Sequence, residues 1–150
     1  MVIDSEYLFG SGRRAVWEAL QDPVILARAL PGTERLERVE GHLYAGEMAV
    51  SVGPVTAARF DISVELTDLV PPEAFTMLVG GEGRAGFVDG RADVRLVERG
   101  ERCLMRYRAE LRVGGRVAAV GQRLLNVVGR SMSHRGLEAV DRLIENRSTP

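Results

Sequence analysis

Several long stretches alternate between apolar and polar side chains, and a period of two dictates a sheet with one dry face. In VTAARFDISVEL (55–66), Ala58, Phe60, Ile62, Val64 and Leu66 fall on one side, while Arg59, Asp61, Ser63 and Glu65 fall on the other. Successive strand side chains point to opposite faces, so this segment is a strand that is wet on one side only. RCLMRYRAELRV (102–113) repeats the pattern, with Cys103, Met105, Tyr107, Ala109, Leu111 and Val113 opposed to four arginines and Glu110. LYAGEMAVSV does so through Tyr44, Met48, Val50 and Val52, before Gly53-Pro54 turns the chain. Further strands are predicted over Val2 to Phe9, 35–39, 74–80 and 87–97, the last two separated by GGEGRAG and the final strand set off by Arg99-Gly100. Long strands joined by short turns form an antiparallel meander.

A dry sheet face needs a cover. RRAVWEALQ, through Val16, Trp17 and Leu20, reads as a short helix. A second, VILARAL, restarts at Asp22-Pro23, where Asp caps free amides and proline suits the first turn, and it stops at Pro31-Gly32. Neither is long enough to cover the sheet. The C-terminal stretch reads as a helix of about 30 residues, hence about 45 Å. The predicted architecture is α+β: a curved seven-stranded antiparallel sheet wrapped around the terminal helix, with two short helices after the first strand, as a single domain over 1–150.

Composition narrows the function classes. The net charge is −1, and arginine is the sole cationic side chain, since the sequence contains no lysine. That balance exerts no broad pull on nucleic acid, and the 5% aromatic content places no stacking pair beside the arginines. Cys103 stands alone, which excludes an internal disulfide and suits a reducing cytoplasm. The N-terminus has acidic residues and no long apolar run, and no stretch reaches the roughly 18 apolar residues of a membrane span.

The terminal helix carries an anomaly. Gly121, Gly129 and Gly136 share a face with Ala118, Leu125, Met132, Val140 and Leu143, within an arc of about 100°, although each helical glycine costs about 1 kcal/mol relative to alanine. Two readings stand. Either the glycines let the helix backbone lie close to the sheet, or the missing side chains leave open volume for a ligand.

VWEALQDPVILARALPG, GEMAVSVGPVTAARF, GFVDGRADVRL and VGGRVAAVGQRL, in that order, resemble the carbon monoxide dehydrogenase G-subunit family, a branch of the START-like, helix-grip superfamily. The resemblance implies a non-catalytic accessory protein of a carbon monoxide dehydrogenase-type molybdenum hydroxylase. It also implies recruitment of that enzyme to the membrane and handling of a lipophilic quinone, with menaquinone or another isoprenoid quinone as a non-covalent ligand. Some relatives carry a C-terminal tail that serves as an anchor; here only the polar ENRSTP follows Ile144, so membrane contact is expected to be peripheral, from the cytoplasmic side.

The residues expected to touch such a ligand come from three places. Trp17, Leu26 and Leu30 lie on the short helices, at one end of the sheet in a helix-grip fold. Phe60, Val64 and Tyr107 come from dry strand faces, and Phe87 from a glycine-flanked segment. Gly121, Gln122, Leu125, Gly129 and Met132 come from the terminal helix. Only Gln122 and Tyr107 offer polar atoms to orient a carbonyl, which suits a quinone or acyl chain better than a sugar.

Catalytic chemistry is sparse. His42 and His134 lack metal-ligand spacing. Cys103 sits on a dry register, where a small buried hydrophobe is expected. Asp61 with Glu65 and Asp89 with Asp93 lie beside Arg59, Arg91 and Arg95 and are expected to pair with them across strands. GGEGRAG precedes no helix and so fails as a phosphate cradle. Arg102, Arg106, Arg108 and Arg112 line one wet face, read either as solvated surface or as a docking face for acidic protein or lipid headgroups. Two rival functions remain: a cyclase- or hydrolase-like enzyme, and an assembly factor with a filled core.

Overall fold

The alternation becomes a single curved sheet. A computed structural model, which describes residues 1–148, contains β1 (Val2–Phe9), α1 (Arg13–Ala19), α2 (Pro23–Ala29), β2 (Thr33–Glu40), β3 (Leu43–Val52), β4 (Val55–Val70), β5 (Ala74–Gly83), β6 (Gly86–Arg99), β7 (Arg102–Gly114) and α3 (Gln122–Ser148). All neighbouring strands pair antiparallel, in the order β1-β7-β6-β5-β4-β3-β2. The first strand thus joins the last, and α3 lies across the inner face. This is the predicted helix-grip α+β architecture.

The local signals act as their chemistry requires. Asp22 caps α2, its Oδ1 accepting from Val24 N at 2.9 Å, with Pro23 in the first turn. Asp22 Oδ2 also pairs with Arg147 Nη1 at 3.3 Å, which ties α2 to the end of α3. GGEGRAG, predicted to separate two strands, lies largely within them: the β5–β6 ladder continues to Gly83 opposite Gly86. Ladder bonds are made by backbone, so glycine weakens a strand without ending it.

The terminal helix departs further from expectation. A five-residue 3-10 turn, Arg116–Val120, precedes it, and α3 begins only at Gln122. Gly121 is the junction, with φ +99° and ψ 154°, a region essentially confined to glycine. Its glycine is a backbone requirement and not part of a helix face. With 27 residues, α3 is about 40 Å long.

Two separate apolar clusters pin α3 to the sheet. At one end Phe9, Val16, Trp17, Ile25, Val140 and Ile144 pack together; at the other, Val52, Phe60, Ala85, Val117 and Leu125 do. Outside, charged residues pair at the surface: Arg108 with Asp4 at 3.2 Å, Arg112 with Asp89 at 2.9 Å and Arg59 with Glu34 at 2.6 Å. Such exposed pairs are worth about 0–1 kcal/mol each.

The remaining two glycines differ in their surroundings. A Cβ at Gly136 would meet nothing nearer than Leu30 Cδ2 at 3.6 Å, whereas one at Gly129 would crowd Ile3 Cδ1 at 3.1 Å and Met1 Cε at 3.3 Å. Gly136→Ala is therefore expected to stabilise the fold by about 0.5–1 kcal/mol, Gly129→Ala to gain less, and Gly121→Ala to destabilise by about 1–3 kcal/mol. Urea denaturation of the three variants checks the order.

Candidate functional site

Between the two clusters lies the middle of the inner face. Register places Ile62 of β4, Val79 of β5, Gly90 of β6, Tyr107 and Ala109 of β7 on the same inner side as the buried Val64, Val94 and Met105. Each of those five is nevertheless partly exposed, although the sheet curls around a helix on that side. Met132 of α3 is partly exposed as well. Ile62 packs against both clusters and marks the seam between them. Small residues thin the side-chain layer here: Gly81 faces Val88 and Ile62, and Ala92 faces Ala109 and Met77. At the two sheet glycines neighbours close in: a Cβ at Gly90 would clash with the Leu111 side chain, and one at Gly81 would meet Ile62 Cγ2 at 3.6 Å.

The helix glycines do not supply that space. Met1 and Ile3 fill the volume opposite Gly129, and Leu30 and Pro31 that opposite Gly136. At these two positions close backbone approach, and not open volume, accounts for the glycine.

The predicted ligand residues divide accordingly. Trp17 and Val64 are buried in the first cluster, Trp17 edge-on to Phe75 with ring centroids 5.6 Å apart. Leu26 packs on that cluster, and Leu30 stands against Gly136. Phe60 and Leu125 belong to the second cluster. Tyr107 packs on the first cluster, and Met132 is partly exposed on α3. Phe87 does not reach the interior: its register partner is Gly114, it lies on the outer face at 38% exposure, and its ring carries the Arg112 guanidinium at 5.8 Å. Gln122 is exposed and donates to Asn126 Oδ1 at 3.1 Å, within its own helix. Gly121 sits at the junction with open space beside it.

Sequence reasoning did not single out Val79, Gly90 and Ala109, which are partly exposed on the inner register. The available signal was the placement of glycine and alanine on inner registers of adjacent strands. Two open recesses also border the sheet. One, of about 590 Å³, runs along Met1, Leu111, Gly90 and Val79 with Asp89 and Arg91 among its flanks; the other, of about 530 Å³, lies between Pro54–Thr56 and the 3-10 turn at Arg116, Ala119 and Val120. None of the twelve predicted ligand residues borders either.

The titratable groups near the interior are buried or tied to neighbours. Tyr7, on the inner register of β1, donates to Asp141 Oδ2 at 3.0 Å. Burial first, then that hydrogen bond and the charges of Asp141, Glu138 and Glu145, push its hydroxyl up to about 12. His134 stacks edge-on to Tyr7 at 5.8 Å and pairs with Glu138 at 2.6 Å, the two side chains being 64% and 42% exposed. Cys103 is fully buried, and burial pushes its thiol up against the opposing pull of Arg13. Among the described residues, no three His, Cys, Asp or Glu side chains gather as a metal site would require.

The family model for the G-subunit of carbon monoxide dehydrogenase (CoxG) matches residues 10–144. A conserved protein from Geobacillus kaustophilus superposes with a TM-score of 0.92 at 28% identity, covering 97% of this chain and 96% of its own. Aromatase/cyclase ZhuI from Streptomyces sp. R1128 gives 0.67 at 17% identity, covering 98% and 94%. Norcoclaurine synthase from Thalictrum flavum, a point mutant in complex with a transition-state analogue, gives 0.65 at 15% identity, covering 99% and 96%. These last two share the fold. A comparison with curated proteins finds no match.

Tyr7 provides a direct test of the α3–β1 contact. Its neutral hydroxyl is favoured in the folded state, so the stability it lends is complete below its ordinary pKa of 10.0 and is lost as pH rises through about 12. The difference in ultraviolet titration between wild type and Tyr7→Phe is expected to show a tyrosine ionising near 12. Asp141→Asn is expected to move it down toward the ordinary value.

Proposed function

The chain belongs to the CoxG family, the G-subunit family of carbon monoxide dehydrogenase, and from that premise we propose that it is a non-catalytic accessory protein of a carbon monoxide dehydrogenase-type molybdenum hydroxylase. In this reading it holds an apolar molecule, an isoprenoid quinone such as menaquinone, between the sheet and α3, and links the enzyme to the membrane quinone pool. The observation that carries the reading is the divided core. Inner-register Ile62, Val79, Tyr107 and Ala109 keep accessible apolar surface where a filled interior would bury it. An apolar guest there would bury that surface at about 25 cal/mol per Å².

The chemistry of the lining supports a carrier over a catalyst. Tyr107, on the inner register of β7, carries the hydroxyl assigned in this reading to orient a carbonyl by a hydrogen bond. A Tyr7 hydroxyl near 12 and a thiol raised by burial are both poorly matched to proton transfer or nucleophilic attack near neutral pH. The enzymes of the same fold therefore inform the architecture and not the reaction. No helix of the described residues is long and apolar enough to cross a membrane, so the link to the quinone pool is assigned to peripheral contact, with no anchor drawn from the described helices.

Organic extraction of the purified protein, followed by mass spectrometry, is expected to recover a quinone or lipid. Added menaquinone is expected to bind, and Ala109→Phe, which fills the seam, to weaken that binding by about tenfold or more while the fold persists. An empty extract together with no binding of menaquinone would leave the assembly-factor reading with a filled core.

A further inference from the structure

The outer face of β6 and β7 is built in two halves that obey opposite electrostatic rules. In the half toward Gly114, every charged residue meets its opposite across the ladder: Asp89 faces Arg112, Arg91 faces Glu110 and Asp93 faces Arg108. In the half toward the β6–β7 turn, arginine faces arginine: Arg95 is opposite Arg106, and Arg99 is opposite Arg102. Like charges directly opposed on antiparallel strands destabilise the sheet. The fold gains nothing from that arrangement.

Between the two arginine pairs lies an apolar row, Val97 opposite Leu104 and Leu104 opposite Leu8. All three side chains are on the wet side, Leu8 at 41% exposure. Compensation is slight. Glu6 approaches Arg106 at 3.6 Å with both side chains more than half exposed, Arg102 Nε donates to the Phe9 carbonyl at 3.2 Å, and the nearby Glu98 pairs with Arg13. The sequence alone grouped Arg102 and Arg106 with Arg108 and Arg112; the β6–β7 register sets them apart, since Arg108 and Arg112 face Asp93 and Asp89 while Arg102 and Arg106 face Arg99 and Arg95.

We propose that Arg95, Arg99, Arg102 and Arg106, around the row Leu8–Leu104–Val97, form a docking surface for an acidic patch of a protein partner. On the reading given above, that partner is the dehydrogenase. Guanidinium groups bind carboxylates in forked pairs, and arginine rimming an apolar centre is the composition of protein interfaces. The apolar residues lie level within strands and do not project from a loop or amphipathic helix, so the patch matches a complementary protein surface better than a lipid leaflet. Four cations massed on one face also accelerate encounter with an acidic partner, an effect that salt screens.

The test measures binding of the whole protein to the purified dehydrogenase holoenzyme of the source organism, at low and high salt, with phosphatidylglycerol vesicles as a second arm. Arg95→Glu combined with Arg102→Glu is expected to weaken dehydrogenase binding by about tenfold or more and to flatten its salt dependence. Arg108→Glu with Arg112→Glu, from the self-neutralised half, is expected to change it by less than about twofold. Because the first pair replaces each like-charge opposition by an attractive one, that variant is expected to melt no lower than wild type. Wild-type binding that survives Arg95→Glu with Arg102→Glu overturns the docking surface alone, as does a loss confined to the vesicles. No wild-type binding to the dehydrogenase overturns the proposed function along with it.

Discussion

The structure depends on how α3 meets the sheet. A helix of about 40 Å laid across a curved antiparallel sheet can be fixed along its whole length or at two places, and here two apolar clusters hold it, one beneath the short helices and one beneath the 3-10 turn. Close approach is set where side chains are absent from α3, with Met1 and Ile3 against Gly129, and Leu30 against Gly136. The sheet is then free to carry glycine and alanine at its centre without losing the helix. A divided core is less stable than a filled one, since apolar lining without partners forfeits contacts. That cost has a use when an apolar guest supplies them.

The same division organises the chemistry. Polar contacts gather at the margins: Tyr7 with Asp141 and Gly10 N with Asp141 where β1 crosses α3, and Tyr44 donating to the Gln21 carbonyl at 2.9 Å beneath the short helices. The seam itself has little beyond Tyr107. On the proposed function, a site so poor in activated groups would hold a molecule in place, and the arginine-rich outer face of β6 and β7 would meet the protein partner. The two proposed functions thereby fall on opposite sides of the same strands, β6 and β7.

Much of this is legible in the sequence, for reasons of period and chemistry. Alternation in 55–66 and 102–113 fixes which side chains face inward before any pairing is known, and Asp22-Pro23 announces a helix start. What periodicity cannot reveal is pairing. Phe87 looks inward only while its partner is unknown; opposite Gly114 it lies outside, beneath Arg112. The helix wheel fails at Gly121 because a wheel assumes helical dihedrals, and a residue at φ +99° ends the helix it is drawn on. The glycine face is real at Gly129 and Gly136, but the side chains filling it come from residues more than a hundred positions away, Met1 and Leu30 among them. The seam is invisible for the same reason: Ala92 and Ala109 come side by side only when β6 and β7 are neighbours.

The central claim is that the middle of the inner face is open to an apolar guest. A crystal of the protein under xenon pressure measures this directly, because xenon enters dry apolar cavities without needing a hydrogen bond. Xenon is expected between Ile62, Val79, Ala109 and Met132. Crystals that take up no xenon there, with side chains in contact across the seam, would contradict it.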